Sequence, residues 1–159
     1  MKAIIVAENN QLIWQDTASP LDQKPLGPDE VAINVKATAV NRADLMQRKG
    51  VYPPPPGSSE ILGLECAGVI SEVGSQVTHW KTGDKVCALL AGGGYAETVV
   101  CSANHVLPVP IGFSFQQAAA LPEVFATAWL NIFMEANLQT NESVLIHAGA
   151  SGVGTAAIQ

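Results

Sequence analysis

A chain of 159 residues that is 48% hydrophobic, with a net charge of −6, has material for a sizeable core, which excludes a disordered polypeptide. Its 8 basic residues form no cluster, so neither nucleic acid nor an anionic membrane is an expected partner. No apolar run reaches membrane-spanning length, because Pro122, Glu123 and Glu135 interrupt the one candidate, residues 118–138. The three cysteines, Cys66, Cys87 and Cys101, are odd in number and widely spaced. That pattern fits a reducing cytoplasm, and each reads as a small apolar core residue. The N-terminus MKAIIVAENN lacks a small-residue cleavage site and reads as a strand, not a signal peptide.

In chain order, residues 3–7 and 12–15 read as short strands around the turn Glu8-Asn9-Asn10. Pro20, Pro25, Gly27 and Pro28 mark a loop. Residues 30–40 then alternate, with Val31, Ile33, Val35 and Ala37 on one face and Asn34, Lys36 and Thr38 on the other. This is the period of a half-buried strand. Asn41 is placed to cap a helix over 42–49, with Asp44 near its positive end, Leu45 and Met46 turned inward, and Gly50 as its stop.

Pro53, Pro54, Pro55 and Pro56 cannot join a ladder, so Tyr52 is carried on a stiff surface loop, where it either covers the domain or lines a pocket. Residues 64–73 read as a strand with Gly68 at a bulge or a close backbone approach. Residues 86–90 and 95–101 have β character. Gly92, Gly93 and Gly94 between them read as a strand connection, because no helix follows as a phosphate loop requires. Residues 106–110 are extended. Strands of this length and spacing suggest a small antiparallel barrel or sandwich.

The pattern changes at Ser114, which with Gln117 fits a capping box. Pro122 suits a helix start, and 123–137 reads as helical, with Phe125, Trp129, Ile132 and Phe133 available for packing. The domain boundary falls there, giving 1–121 and 122–159. The stretch NESVLIHAGASGVGTAAIQ then supplies a turn, a buried strand at 143–147, a glycine loop and a helix start. Free N–H groups and a positive dipole end suit a pyrophosphate. The run Gly149-Ala150-Ser151-Gly152-Val153-Gly154 follows the dinucleotide pattern, except that Ser151 takes the place of its middle glycine. Ser151 either displaces the cofactor outward or adds a hydroxyl contact; the competing reading is a tight strand-to-helix turn without a ligand. A dinucleotide fold also needs further βα units and a ribose-reading residue roughly 20 positions beyond the loop, so the chain reads as a truncated piece of a two-domain α/β enzyme.

Four segments, ATAVNRADLMQRKGVYPPPPG, EILGLECAGVISEVG, QQAAALPEVFATAW and VLIHAGASGVGTAAIQ, together resemble the zinc-independent quinone oxidoreductase branch of the medium-chain dehydrogenase/reductase superfamily. The likeness is nearest to the p53-induced quinone reductases and their bacterial relatives. It implies a β-rich GroES-like catalytic domain followed by the opening α-β unit of a Rossmann domain. Zinc-dependent members resemble the chain at two points where they place a Cys and a His as ligands; here Asn41 and Leu64 stand there, so no metal is expected.

Without a Lewis acid alcohol oxidation is difficult, whereas hydride delivery to a quinone or another conjugated carbonyl needs less help. The resemblance implies NADPH as cofactor, in a cleft lined by Asn41, Tyr52, Thr127, Ala150, Ser151, Gly152, Val153 and Gly154. It gives Asn41 and Tyr52 the catalytic part, as donors to the developing oxygen anion. Asp44 is left as a helix-start residue and Glu65 as structural. The full-length protein is expected to be a cytoplasmic homodimer acting on a small quinone or enone. The 159-residue piece alone is expected to bind NADPH weakly, to be inactive and to self-associate. Two other readings stand beside this one: an alkenal or enoyl-thioester reductase of the same superfamily, and a non-catalytic GroES-like binding module, against which the glycine loop argues.

Overall fold

Apolar, β-prone runs between residues 30 and 108 produce five antiparallel strands in one sheet. These are β3 (Glu30–Thr38), β4 (Glu65–Val73), β5 (Lys85–Leu89), β6 (Thr98–Ser102) and β7 (Val106–Pro108), in the order β6-β3-β4-β5-β7. Ahead of them β1 (Lys2–Val6) and β2 (Leu12–Asp16) form a separate two-stranded ribbon, closed by a turn with Asn10 at φ 62° and followed by the short helix α1 (Pro20–Gln23). The computed structural model describes all of Met1–Gln159, which divide into two units, Met1–Ala120 and Leu121–Gln159.

The first unit is held by side chains from both faces of its sheet. Val31, Ile33, Cys66, Ile70, Val86, Ala88 and Val99 form the larger cluster. On the opposite face Ala67 and Cys87 meet Ala118 and Ala119 of α3 (Phe115–Ala119), where small residues let the helix approach the strands closely. The capping box of α3 forms: Ser114 Oγ accepts from the Gln117 N–H at 3.3 Å, and Gln117 Oε1 accepts from the Ser114 N–H at 2.9 Å. All three cysteines are buried in these clusters or beside them.

Gly68 sits where the chain comes closest to its neighbour. The β3–β4 register slips between Val35 and Ala37, and Gly68 lies opposite Val35 beside that slip. A side chain there would run into the Asn34 carbonyl oxygen. The expected bulge and the expected close approach are thus the same feature.

One expectation for the helix α2 (Arg42–Arg48) is corrected. Leu45 and Met46 are 43% and 38% exposed, and the residue turned inward is Asp44, 1% exposed. The carboxylate is buried because hydrogen-bond donors await it there. Apolar content alone did not set the rotation of this short helix.

The second unit contains α4 (Pro122–Trp129), a π-helical turn (Leu130–Glu135) and α5 (Gly152–Ile158). The single helix expected over 123–137 therefore changes type at Leu130. The Asn131 side chain donates to the Thr127 carbonyl at 2.8 Å, and the Ala136 N–H reaches back five residues to Asn131 at 3.0 Å, which widens the last turns. The strand expected at 143–147 does not form. A strand is defined by its ladder, and no other strand lies in this unit to pair with it. Val144 and Leu145 are 51% and 80% exposed there. No helix of the chain is long and apolar enough to cross a membrane.

Candidate active site

Antiparallel pairing of β3 with β4 brings the end of one strand to the start of the other. Thr38 lies opposite Cys66, and Thr38 Oγ1 donates to the Glu65 carbonyl at 2.7 Å. Three residues past β3 the chain turns into α2 at Asn41, in the extended conformation of an N-cap (φ −109°, ψ 156°). This places the Asn41 amide against Glu65, whose Oε1 accepts from Asn41 Nδ2 at 2.7 Å. The Asp44 carboxylate returns one turn to the start of the helix, where its Oδ2 accepts from the Asn41 backbone N–H at 2.7 Å.

The same Oδ2 accepts from the Tyr95 hydroxyl at 2.8 Å across 51 residues of sequence. Tyr95 reaches it because its strand connection lies tightly against the segment before β4: the Gly94 and Tyr95 N–H groups donate to the Gly63 and Leu62 carbonyls at 3.0 and 2.9 Å. Burial first, and the hydrogen bond to Asp44 second, raise the Tyr95 phenol above its ordinary value, so it stays a donor. Asp44 and Glu65 are each 1% exposed, and Asp44 Oδ1 has no hydrogen-bond partner. Leaving a buried acceptor short of a donor is costly. Tyr95→Phe removes one of the two donors to Oδ2 and is expected to cost about 2 kcal/mol, the range for bonds to charged groups. A shift of the urea midpoint with an unchanged slope measures it.

The sequence singled out Asn41 and Tyr52 from this unit, and the structure treats them differently. Asn41 is half-buried and bonded at both its backbone and its amide. Tyr52 is 49% exposed on the bend ahead of the four prolines. Tyr95 and the inward turn of Asp44 were missed. The available signals were the aspartate three residues after Asn41 and a tyrosine directly after three glycines.

Leu64, at a position where zinc enzymes of the resembling superfamily place a ligand, is buried with 8% exposure, and its hydrocarbon side chain has no atom to offer a cation. Cys66 faces the core. No group of three or more His, Cys, Asp or Glu side chains is placed to hold a metal ion. Burial, with Glu30 second, pushes the Cys101 thiol from 9.0 up to about 12; burial raises Cys66 and Cys87 as well. The native thiols are therefore protonated and inert to thiol reagents near neutral pH, whereas the unfolded chain reacts. Because the folded values are the raised ones, the thiols contribute full stability below 9.0 and lose it as pH climbs toward about 12. A urea midpoint that falls across that alkaline window checks the sign.

In the second unit the glycine loop enters α5 through Ser151 (φ −75°, ψ 167°), whose Oγ accepts from the Gly154 N–H at 3.0 Å. The serine at the place of the middle glycine is thus an N-cap. Gly154 is buried, and a side chain on it would strike the Ala148 carbonyl oxygen and approach Gly149 Cα to 2.7 Å. A side chain on Gly152 would meet Val124 of α4 at 3.0 Å. The N–H groups of Gly152 and Val153 precede the first intrahelical acceptor, as in phosphate-binding turns. Ala150 is exposed beside them, and Thr127 is half-buried on α4. This loop fits a dinucleotide phosphate by its backbone donors and by glycines packed where no side chain fits.

The sequence pattern of the alcohol dehydrogenase GroES-like domain matches residues 27–111. The chain belongs to that family and, with it, to the medium-chain dehydrogenase/reductase superfamily of oxidoreductases. It is 45% identical over 130 residues to the zebrafish (Danio rerio) synaptic vesicle membrane protein VAT-1 homolog, a match covering 82% of this chain and 27% of that protein. Among solved structures, the CurK enoyl reductase superposes with a TM-score of 0.87 at 34% identity over 99% of this chain and 49% of that one. The quinone oxidoreductase of Pseudomonas syringae does so with a TM-score of 0.79 at 33% identity over 98% of this chain and 48% of that one. The chain thus spans about half the length of these two solved structures, and less of the VAT-1 homolog, and joins a GroES-like domain to the start of a nucleotide-binding domain.

Proposed function

We propose that the protein built on this chain transfers a hydride from NADPH to a quinone or another conjugated carbonyl, without a metal. One observation carries the reading: Asn41, standing where zinc enzymes of the superfamily place a cysteine, is tied through Nδ2 to Glu65 at 2.7 Å. Its neighbour in that substitution, Leu64, offers no donor atom. A protein without a Lewis acid suits an acceptor that is already electron-poor.

A bound nicotinamide supplies the hydride; everything else falls to the chain. The backbone of Ala150, Ser151, Gly152, Val153 and Gly154 holds the pyrophosphate, and Thr127 contributes a further polar contact. Asn41 and Tyr52 position the reacting groups, with the Tyr52 hydroxyl as donor to the oxygen on which charge develops. By the same family likeness the protein works as a cytoplasmic homodimer.

A second reading, reduction of an enoyl thioester, is favoured by the similarity to the CurK enoyl reductase. The test uses the protein together with its complete nucleotide-binding domain. NADPH oxidation is followed with a naphthoquinone, a crotonyl thioester and an alkenal, with and without a chelator. Fastest turnover on the quinone, indifferent to chelator, is the expected result. A thioester preference of about tenfold or more in kcat/KM selects the second reading, and chelator-sensitive or absent turnover overturns both.

A further inference from the structure

The two buried charged side chains, Asp44 and Glu65, converge on a single residue, Asn41. They grip it at different atoms: Asp44 Oδ2 takes the backbone N–H at 2.7 Å, and Glu65 Oε1 takes the side-chain Nδ2 at 2.7 Å. Each grip is itself braced, Asp44 by the Tyr95 hydroxyl at 2.8 Å and the Glu65 backbone by Thr38 Oγ1 at 2.7 Å. Burying a carboxylate costs free energy, and Asp44 is buried with one oxygen, Oδ1, left unpartnered. Such an arrangement is a poor way to stabilise a sheet and a good way to fix one amide.

The geometry points to Asp44 and Glu65 as positioning residues that hold Asn41 as a hydrogen-bond acceptor. A carboxylate can only accept, so the Asn41 amide must turn its nitrogen toward Glu65. That settles which end is which. One N–H is consumed by Glu65; Oδ1 faces the first turn of α2, where the capping box directs one lone pair at the Asp44 N–H, and its second lone pair is left for a ligand. A carboxylate hydrogen-bonded to an amide N–H pushes electron density toward the amide oxygen and strengthens it as an acceptor. The same carboxylate disfavours a new negative charge nearby. Asn41 is therefore suited to receive a hydroxyl or carboxamide N–H of the nicotinamide nucleoside. It is unsuited to the oxyanion, which falls to Tyr52. This assignment rests on the function proposed above.

Two readouts separate the clamp from that function. The first needs no cofactor: the side-chain NH₂ resonances of Asn41 in the nitrogen–proton NMR spectrum of the chain. One proton of the pair is expected far downfield and protected from solvent exchange in the parent. Glu65→Gln should move it and shorten its protection about tenfold, since a neutral acceptor gives roughly half the bond of a charged one. Asp44→Asn, which perturbs the helix start and not the amide partner, provides a second variant should Glu65→Gln not fold. It should move the Asn41 backbone N–H signal instead. Asn41 side-chain and backbone signals that ignore their respective variants overturn the clamp.

The second readout is NADPH affinity, by nucleotide fluorescence, in the protein with its complete nucleotide-binding domain. Asn41→Ala and Glu65→Gln should each weaken it about tenfold, and the double variant no more than Asn41→Ala alone, because Glu65 acts through Asn41. Additive losses overturn the positioning role. A parent that binds no NADPH sinks the proposed function, while the NMR result still decides the clamp.

Discussion

Gly68→Ala is expected to lower the stability of the chain by about 3 kcal/mol or more, read as a drop in urea midpoint. The added methyl would meet Asn34 C and Ile33 Cγ2 at 2.9 Å each, and it would overlap the Asn34 carbonyl oxygen. The obstacle is backbone in the adjacent strand, which cannot rotate aside as a side chain can. Relief requires β3 and β4 to part, and theirs is the longest ladder of the sheet, running from Val31↔Val73 to Thr38↔Cys66. The same ladder delivers Asn41 to Glu65, so the Asn41 amide signal should be disturbed together with the stability. Ser71→Ala on the same strand is the control. It loses one 3.3 Å hydrogen bond to the Ala32 carbonyl and should cost less than about 1 kcal/mol. Equal effects from the two substitutions would contradict the steric account.

Gly68 was legible from the sequence because a glycine inside a strand pattern has few explanations. Val31 and Ile33 were legible for a similar reason: the sheet buries one face of β3, and period two marks that face. Ala32 was not, because it lies on the opposite face of a strand flanked on both sides, and no local pattern reports that this face is buried too. The polar site was half visible. Asn41 followed from its place before a helix and from the family resemblance. The inward turn of Asp44 depends on Tyr95, 51 residues away, and on a strand connection whose path is set by glycine packing. Long-range donors of this kind leave no local periodicity. The same limit explains the strand expected at 143–147: an apolar run gives the propensity to pair, but pairing needs a partner, and Leu121–Gln159 contains no other strand.

Gly154→Ala is expected to weaken NADPH binding about 100-fold in the protein with its complete nucleotide-binding domain, the scale for losing one or two hydrogen bonds to a charged phosphate. The methyl would press on Gly149 at 2.7 Å from Cα and on the Ala148 carbonyl oxygen, at the point where the loop folds back on the first turn of α5. Ala148 already holds a left-handed conformation, φ 54°, and its carbonyl accepts from the Ser151 N–H at 2.8 Å. The loop has no slack to absorb the push, so the N–H groups of Gly152 and Val153 must lose their common direction. Ser151→Ala makes a sharper test by comparison. It removes the cap to the Gly154 N–H but leaves the backbone path alone, and caps are worth about 1 kcal/mol, or roughly fivefold in affinity. If the serine hydroxyl were itself the main phosphate contact, the order would reverse, with Ser151→Ala the more damaging. The backbone, with its donors aimed by close glycine packing, predicts that Gly154→Ala does the greater harm, and fluorescence titration of the two variants side by side decides which group carries the phosphate.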